Sequence, residues 1–251
     1  MTKLALCLSG GAARGAFHLG ALAFFDEQNI KFEAFSGSSI GSIIAASYAS
    51  GISPLEQLKI FKSKELKKCI KFNPYLNGLL KIDTTNPLIK ELLPIAKIED
   101  IPKPLYICVY DYKNKELIYY DKGDVVNLCI ASSALIPLFK PLKFENRKLF
   151  DGGLLNNIPV EPLLNKNYKI CALDLLPRKE RTLQKNYNPI NLVKKRIFKT
   201  WHLNIDYAIK HTDIYITTNE LRETKMFTFD GLDELFKLGY KEASNHLNSF
   251  R

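Results

Sequence analysis

Twice within the first fifty residues, a short apolar run passes through a glycine-containing turn into a longer apolar segment. The first run, "KLALCL" (residues 3 to 8), reads as a buried strand, and "SGGAARG" follows it as a glycine-rich turn. A helix is expected to begin near Gly15; "AFHLGALAFF" is apolar on nearly every face, as a helix buried in a core must be, and "DEQN" ends it. The second run, "KFEAFS" (31 to 36), leads through Gly37-Ser-Ser-Ile-Gly41 into "IGSIIAASYAS", with Gly51 as its C-terminal stop. Strand-turn-helix repeated at this spacing lays strands side by side in parallel, packs helices on the sheet, and gathers functional loops at the carboxyl ends of the strands. The expected fold class is therefore α/β, a three-layer α/β/α arrangement with a mainly parallel central sheet. A chain of 251 residues with 46% hydrophobic content can bury about 70–75% of its unfolded surface in one core. No repeat, low-complexity tract or linker divides it, so residues 1–251 read as a single domain.

The remainder of the chain fits this plan with one change of texture. Beyond Pro54, "LEQLKIFKSKELKKCIKF" is a basic amphipathic stretch of imperfect period, either a surface helix with a solvated lysine face or part of a cap or lipid-contacting region spanning about 54–95. Asn86 and Pro87 open another helix as N-cap and first helical residue. "PLYICVYDY" and "ELIYYDKG" read as strands joined by the turn "KNK", and "VVNLCIASSALIPLFKPL" carries a short helix into a proline-punctuated loop. "KLFDGGLLNNIPV" centres on an Asp-Gly turn; "KICALDLL" and "DIYITT" are later strands, separated by a basic segment (178 to 199) and a helical region around 201 to 210. "LDELFKLGYKEASNHL" is the terminal helix.

The formal charge of +10 either attracts phosphate-rich partners, nucleic acid or an anionic membrane surface, or is simply a solvated lysine-rich surface. Zinc-finger spacings, basic-zipper heptads and aromatic RNA-binding signatures are all missing from the sequence, so no nucleic-acid partner is expected. The five cysteines are odd in number and scattered, which suggests a reducing compartment, and no metal or other cofactor is expected. No apolar run approaches the ~18 residues of a membrane-spanning helix. "LALCL" is too short for a signal-peptide core. The expected location is cytoplasmic, with peripheral membrane contact allowed; export without a cleavable signal would leave the same pattern.

The chemical question centres on Ser39. A serine hydroxyl becomes a useful nucleophile only with an exposed position, a base, and donors aimed at the developing oxyanion. Gly37 and Gly41 meet the first need, because on a tight strand-to-helix elbow the residues two before and two after the nucleophile nearly touch. The following helix also turns its partial positive end towards Ser39. A small-residue loop would explain G-x-S-x-G equally well in isolation; its place between a strand and a helix favours the elbow. The base is harder to find. His18, His202, His211 and His246 all fall outside loops that follow strands, so a Ser-His-Asp triad has no suitable member. The "GGAARG" loop can supply free backbone N–H groups for an anion, but it lacks both the Lys-Ser/Thr of a P-loop and the glycine spacing of a dinucleotide site.

"LSGGAARGAFHLGAL", "GSSIG" and "DGG", in this order, resemble the patatin-like phospholipases. The resemblance extends over nearly the whole chain through "ASSALIPLFKPL" and "GLDELFKLGYKEA". It implies a two-residue machine without histidine, in which Ser39 is the nucleophile and Asp151 its base. Gly10, Gly11 and Ala12 would form the oxyanion loop, with Arg14 at its basic position and Gly15, Gly37, Gly41, Gly152 and Gly153 in support. Ala12 stands where many members carry a third glycine, and either residue presents an N–H. Arg14 could bias the loop electrostatically, hold it by hydrogen bonds, or contact a lipid phosphate. The implied function is a serine lipid acyl hydrolase acting on phospholipid or related esters through an acyl-enzyme, with a lipid substrate; the basic amphipathic segments allow peripheral contact with anionic membranes. The competing expectations are a soluble esterase or thioesterase using the same pair, and a lipid-binding protein without turnover.

Overall fold

A computed structural model of the chain describes residues 3–72, 80–135, 139–177, 204–226 and 228–250. The basic segment 178–199 and the Trp201 end of the expected helical region lie outside the described residues. In chain order the strands are β1 (Lys3–Leu8), β2 (Phe32–Ser38), β3 (Ile70–Phe72), β4 (Leu80–Ile82), β5 (Leu105–Asp111), β6 (Glu116–Tyr120), β7 (Leu142–Phe144), β8 (Arg147–Asp151), β9 (Tyr168–Leu173) and β10 (Ile214–Ile216). The helices are α1 (Gly15–Glu27), α2 (Ile40–Ala49), α3 (Pro54–Lys62), α4 (Lys64–Cys69), α5 (Pro87–Leu92), α6 (Val125–Ser132), α7 (204–210) and α8 (Leu232–Asn245).

The central sheet runs β10-β9-β1-β2-β5-β8-β7, with β6 on the free edge of β5. From β10 to β5 all pairs are parallel, as the two opening strand-turn-helix units demand; β6, β7 and β8 are antiparallel additions. The alternation of large and small residues in "LALCL" sets the two faces. Leu6 and Leu8 join Phe35, Ile107 and Leu173 in the larger core under α1, α2, α6 and α8, whereas Ala5 and Cys7 join Ala34 and Ala172 in a smaller one. Small side chains on that second face let Ile158, Val160 and Leu163 and residues Ile205 and Ala208 of α7 lie close to the sheet.

The basic stretch after Pro54 is not one helix. Ser53 and Glu56 form a capping box that starts α3, and Ser63, extended at φ −68° and ψ 142°, separates it from α4. Residues 70–72 then pair antiparallel with 80–82 as a separate hairpin, which explains the imperfect helical period. Asn86 caps α5 as expected, its side chain accepting from the Leu88 N–H.

α8 crosses α1 with no room to spare. A Cβ on Gly239 would fall 1.9 Å from the Phe17 carbonyl oxygen, and one on Gly20 1.8 Å from that of Phe236. Either methyl group would have to force two backbones apart. Gly239→Ala should therefore destabilise the protein by about 1–3 kcal/mol, read as a lowered melting temperature.

Candidate active site

Ser39 sits between β2 and α2 at φ 52° and ψ −127°, a left-handed conformation that a serine adopts only under constraint. The flanking glycines make the turn possible: a Cβ on Gly37 would lie 2.6 Å from the Gly41 backbone, and one on Gly41 2.2 Å from the Leu8 carbonyl oxygen. The turn is held from both sides. The Ser39 carbonyl accepts from Ser42 Oγ at 2.6 Å and Ser42 N at 2.9 Å. The Ser39 N–H donates to Ser132 Oγ at 2.8 Å, and that hydroxyl donates onward to the Cys108 carbonyl at 2.7 Å.

Asp151 reaches Ser39 by an arrangement that lies in the sheet itself. β6 occupies one edge of β5 over Ile107–Asp111, so β2 and β8 must share the other. β2 runs parallel to β5 and β8 antiparallel, and they meet head to head: Ser38 pairs with Cys108, and Asp151 with the next residue, Val109. The C-terminal end of α6 braces both members. Ser132 takes the Ser39 N–H, and the Ala134 carbonyl accepts the Asp151 N–H at 3.3 Å.

The Asp151 carboxyl is only 5% exposed. Burial pushes its pKa up from 3.8 to about 7, against the opposing pull of the hydrogen bond from the Gly153 N–H and of the nearby Ser39 hydroxyl. The Gly153 bond measures 2.8 Å. Gly152 lets β8 close on β5: a Cβ there would meet Cys108 Sγ at 2.6 Å.

The loop from Ser9 to Arg14 lies beside this pair. The Gly10 N–H is committed to the Asn157 carbonyl at 3.3 Å, and the Gly10 carbonyl accepts from Asn157 Nδ2 at 3.1 Å, so one asparagine fixes that peptide on both sides. Among the described residues the Gly11 and Ala12 N–H groups have no partner. Ala12 is not a neutral replacement for glycine: at φ 51° its methyl group carries left-handed strain of about 1–2 kcal/mol. Arg14 does not face a lipid phosphate. It is 8% exposed, and its guanidinium donates to the Leu175 carbonyl at 3.0 Å and the Thr224 carbonyl at 2.8 Å. Arg14 thereby holds the loop by hydrogen bonds, assisted by the Ala13 N–H on the Met226 carbonyl at 2.9 Å. Gly15 follows as the first residue of α1, its N–H on the Ala12 and Ala13 carbonyls.

His18 is also structural. It is fully buried, Nε2 donates to the Ser9 carbonyl at 2.9 Å, and burial pushes its pKa down to about 4, so the ring stays neutral. Asp174, buried below the loop, accepts from Tyr215 Oη at 2.6 Å and the Leu176 N–H at 2.9 Å. Among the described residues no cluster of His, Cys, Asp and Glu side chains is placed to hold a metal ion. Sequence reasoning missed Ser132, Asn157 and Asp174. Ser132 and Asn157 lie within the "ASSALIP" and "DGGLLNN" stretches, but nothing in those strings says which hydroxyl or amide turns towards the loop.

The family model described as patatin-like phospholipase matches residues 6–164, a span that contains the loop, Ser39 and Asp151. The chain belongs to this family. Patatin-like phospholipases are hydrolases by the family's description. Lysophospholipase NTE1 of Candida albicans is 23% identical over 278 residues, which cover 96% of this chain and 20% of that protein. An uncharacterized NTE family protein of Mycobacterium tuberculosis is 24% identical over 169 residues, covering 66% of this chain and 46% of its own. The chain thus spans between a fifth and a half of these relatives. Among solved structures, VipD from Legionella pneumophila superposes with a TM-score of 0.57 at 15% identity, over 100% of this chain and 67% of that one. ExoU in its complex with SpcU from Pseudomonas aeruginosa gives 0.51 at 18% identity, over 99% and 52%. Both share the patatin-like α/β fold. No helix among the described residues of this patatin-like chain is long and apolar enough to cross a membrane.

Two outcomes test this geometry. Ser132→Ala leaves the Ser39 N–H without its acceptor and should cost about 1–3 kcal/mol of stability, while Ser132→Thr, which keeps the hydroxyl, should cost less; thermal melts compare them. Asp151 has a folded pKa of about 7 above its ordinary 3.8, so the native state binds the extra proton and wild-type stability falls as pH rises through that window. Asp151→Asn removes this dependence. Its stability relative to wild type should increase from pH 4 to pH 8, measured by denaturant midpoints across the range.

Proposed function

We propose that the chain is a serine lipid acyl hydrolase that cleaves phospholipid or related acyl esters with Ser39 as nucleophile and Asp151 as its base. The observation that carries this reading is the juxtaposition of a strained, elbow-borne serine with a buried carboxylate, brought together where β2 and β8 meet on β5. A general base works best when its pKa lies near the working pH, and a carboxylate lifted to about 7 meets that condition without histidine.

The course follows from the positions. Ser39 Oγ attacks the ester carbonyl carbon as its proton passes to Asp151, and the carbonyl oxygen becomes an oxyanion. The uncommitted Gly11 and Ala12 N–H groups are the donors for that charge, with Gly10 held back by Asn157 as the fixed end of the loop. Collapse of the tetrahedral species breaks the bond to the alcohol, which leaves with the proton from Asp151. Water then attacks the acyl-enzyme, gives its proton to Asp151 and releases the fatty acid, and the proton returns to Ser39. The soluble relation of this reading, an esterase with the same pair, differs only in substrate form. Hydrolysis of aggregated lipid in preference to short soluble esters supports the lipid enzyme.

A fluorophosphonate ester followed by intact-protein mass spectrometry tests the nucleophile: wild type should gain one adduct, and Ser39→Ala none. Ester turnover should fall by at least ~10³-fold in Ser39→Ala and Asp151→Asn, on the scale set by loss of an essential nucleophile or base. Because only the ionised carboxylate accepts the serine proton, wild-type kcat/KM should drop about tenfold per pH unit below about 7 and level off above it. A folded wild type that neither labels nor turns over any ester rejects the proposal.

A further inference from the structure

The sheet carries a cationic, aromatic surface beside the site that the reaction does not use. Tyr112 extends the β5 ladder, its N–H donating to the Lys148 carbonyl at 3.1 Å, and Lys148 pairs directly with Lys143 on β7. Tyr112, Lys148 and Lys143 therefore form a row across three adjacent strands on one face of the sheet. Tyr112 is 59% exposed, among the most exposed large apolar side chains of the described residues. Its ring packs edge-on against Phe150 at 5.6 Å, and Lys148 Nζ lies 5.9 Å from the Tyr112 ring and 6.0 Å from that of Phe150. Lys113 and Lys115 are exposed in the adjoining β5–β6 turn.

Local acids do not neutralise this group. Arg147 takes both Asp111, at 2.9 Å, and Glu116, at 2.6 Å. Glu145, exposed in the β7–β8 turn, is the remaining acid of the two hairpin tips. Among the described residues Lys113, Lys115, Lys143 and Lys148 have no ion-pair partner. Like charges directly opposite on paired strands repel, so Lys143 and Lys148 face each other at a cost that an anionic partner would turn into a gain. Lysine on an edge strand also discourages sheet-to-sheet association, and that accounts for Lys143 on β7. It does not account for an exposed tyrosine in the same row or for lysines in the neighbouring turn.

Position identifies the partner. Tyr112 stands three residues along β5 beyond Val109, the level of Asp151, which is about 10 Å further in the direction in which the parallel strand β2 leads to Ser39. We propose that this row, with Lys113 and Lys115, docks the enzyme on an anionic lipid surface and holds it next to Ser39. Tyrosine rings and lysine stems suit the boundary between headgroups and acyl chains, and each lysine near such a surface adds several-fold to binding. The lysine-rich stretch around α3 and α4 is the weaker candidate, because Lys62 is paired with Asp233 and Lys68 with Glu65.

The proposal rests on the lipid-hydrolase reading, and the test separates the two. Binding is measured with the Ser39→Ala protein by co-sedimentation with vesicles of phosphatidylcholine alone or with added phosphatidylglycerol. The unaltered surface should prefer the anionic vesicles, and salt should weaken binding. Lys143→Glu with Lys148→Glu should lower anionic-vesicle affinity about tenfold or more, Tyr112→Ser should also weaken it, and Lys59→Glu with Lys64→Glu should change it little. In a Ser39-containing background the Lys143/Lys148 variant should keep its melting temperature, fluorophosphonate labelling and soluble-ester turnover while losing turnover of vesicle lipid. Equal binding to neutral and anionic vesicles, a larger loss from the Lys59/Lys64 variant, or capture of RNA in place of vesicles would overturn the docking proposal. Failure of labelling and soluble-ester turnover in wild type would instead reject the reaction assigned to the site.

Discussion

The conformation of Ser39 is the constraint on which the rest of the site depends. A serine at φ 52° and ψ −127° costs about 1–3 kcal/mol, and it persists only because its surroundings leave no alternative. Gly37 and Gly41 remove the side chains that would prevent the turn, and Ser42 and Ser132 hold its carbonyl and its N–H. Ser132 also donates to β5, so the strain is carried by the strand along which β2 and β8 meet.

Desolvation sets the proton affinities of two buried titratable side chains near the elbow and its loop. An imidazole in water has a pKa near ~6.5, and burial brings the Asp151 carboxyl to about 7, with no cation among the described residues close enough to offset it. The same effect acts on His18 in the opposite sense, pushing it to about 4 and leaving it a neutral donor to the Ser9 carbonyl. In this interior a carboxylate has the proton affinity usually associated with histidine, and the histidine has become a fixed hydrogen-bond donor.

The loop from Ser9 to Arg14 is tied to distant parts of the chain more than to its own neighbours. Asn157 holds Gly10, while Arg14 and Ala13 hang the other end on Leu175, Thr224 and Met226. The N-terminal loop is therefore assembled from the end of β8, the end of β9 and the segment before α8. The crossing of α1 and α8 through Gly20 and Gly239 keeps those pieces in register. The hairpins that extend β5 beyond the end of β2 turn their lysines and Tyr112 outward at the same end of the sheet.

Much of this was legible in the amino-acid order, because the signals were local. Alternating large and small residues in β1, the two strand-turn-helix units, the glycines around Ser39 and the Asn86-Pro87 helix start each follow from neighbours within a few positions. β7 and the β3–β4 hairpin escaped notice because strands of three residues carry too few alternations to read, and the lysines around Ser63 concealed a break. By itself the sequence determined the α/β class, the elbow and the two residues that the family resemblance singled out. Only the tertiary structure decided that β2 and β8 meet head to head on β5, that Ser132 and Asn157 brace the site, that Arg14 faces inward, and that Asp151 loses enough water for its pKa to rise to about 7. Those facts depend on contacts between residues up to about two hundred positions apart and on the solvent they exclude, and neither is encoded in any local pattern.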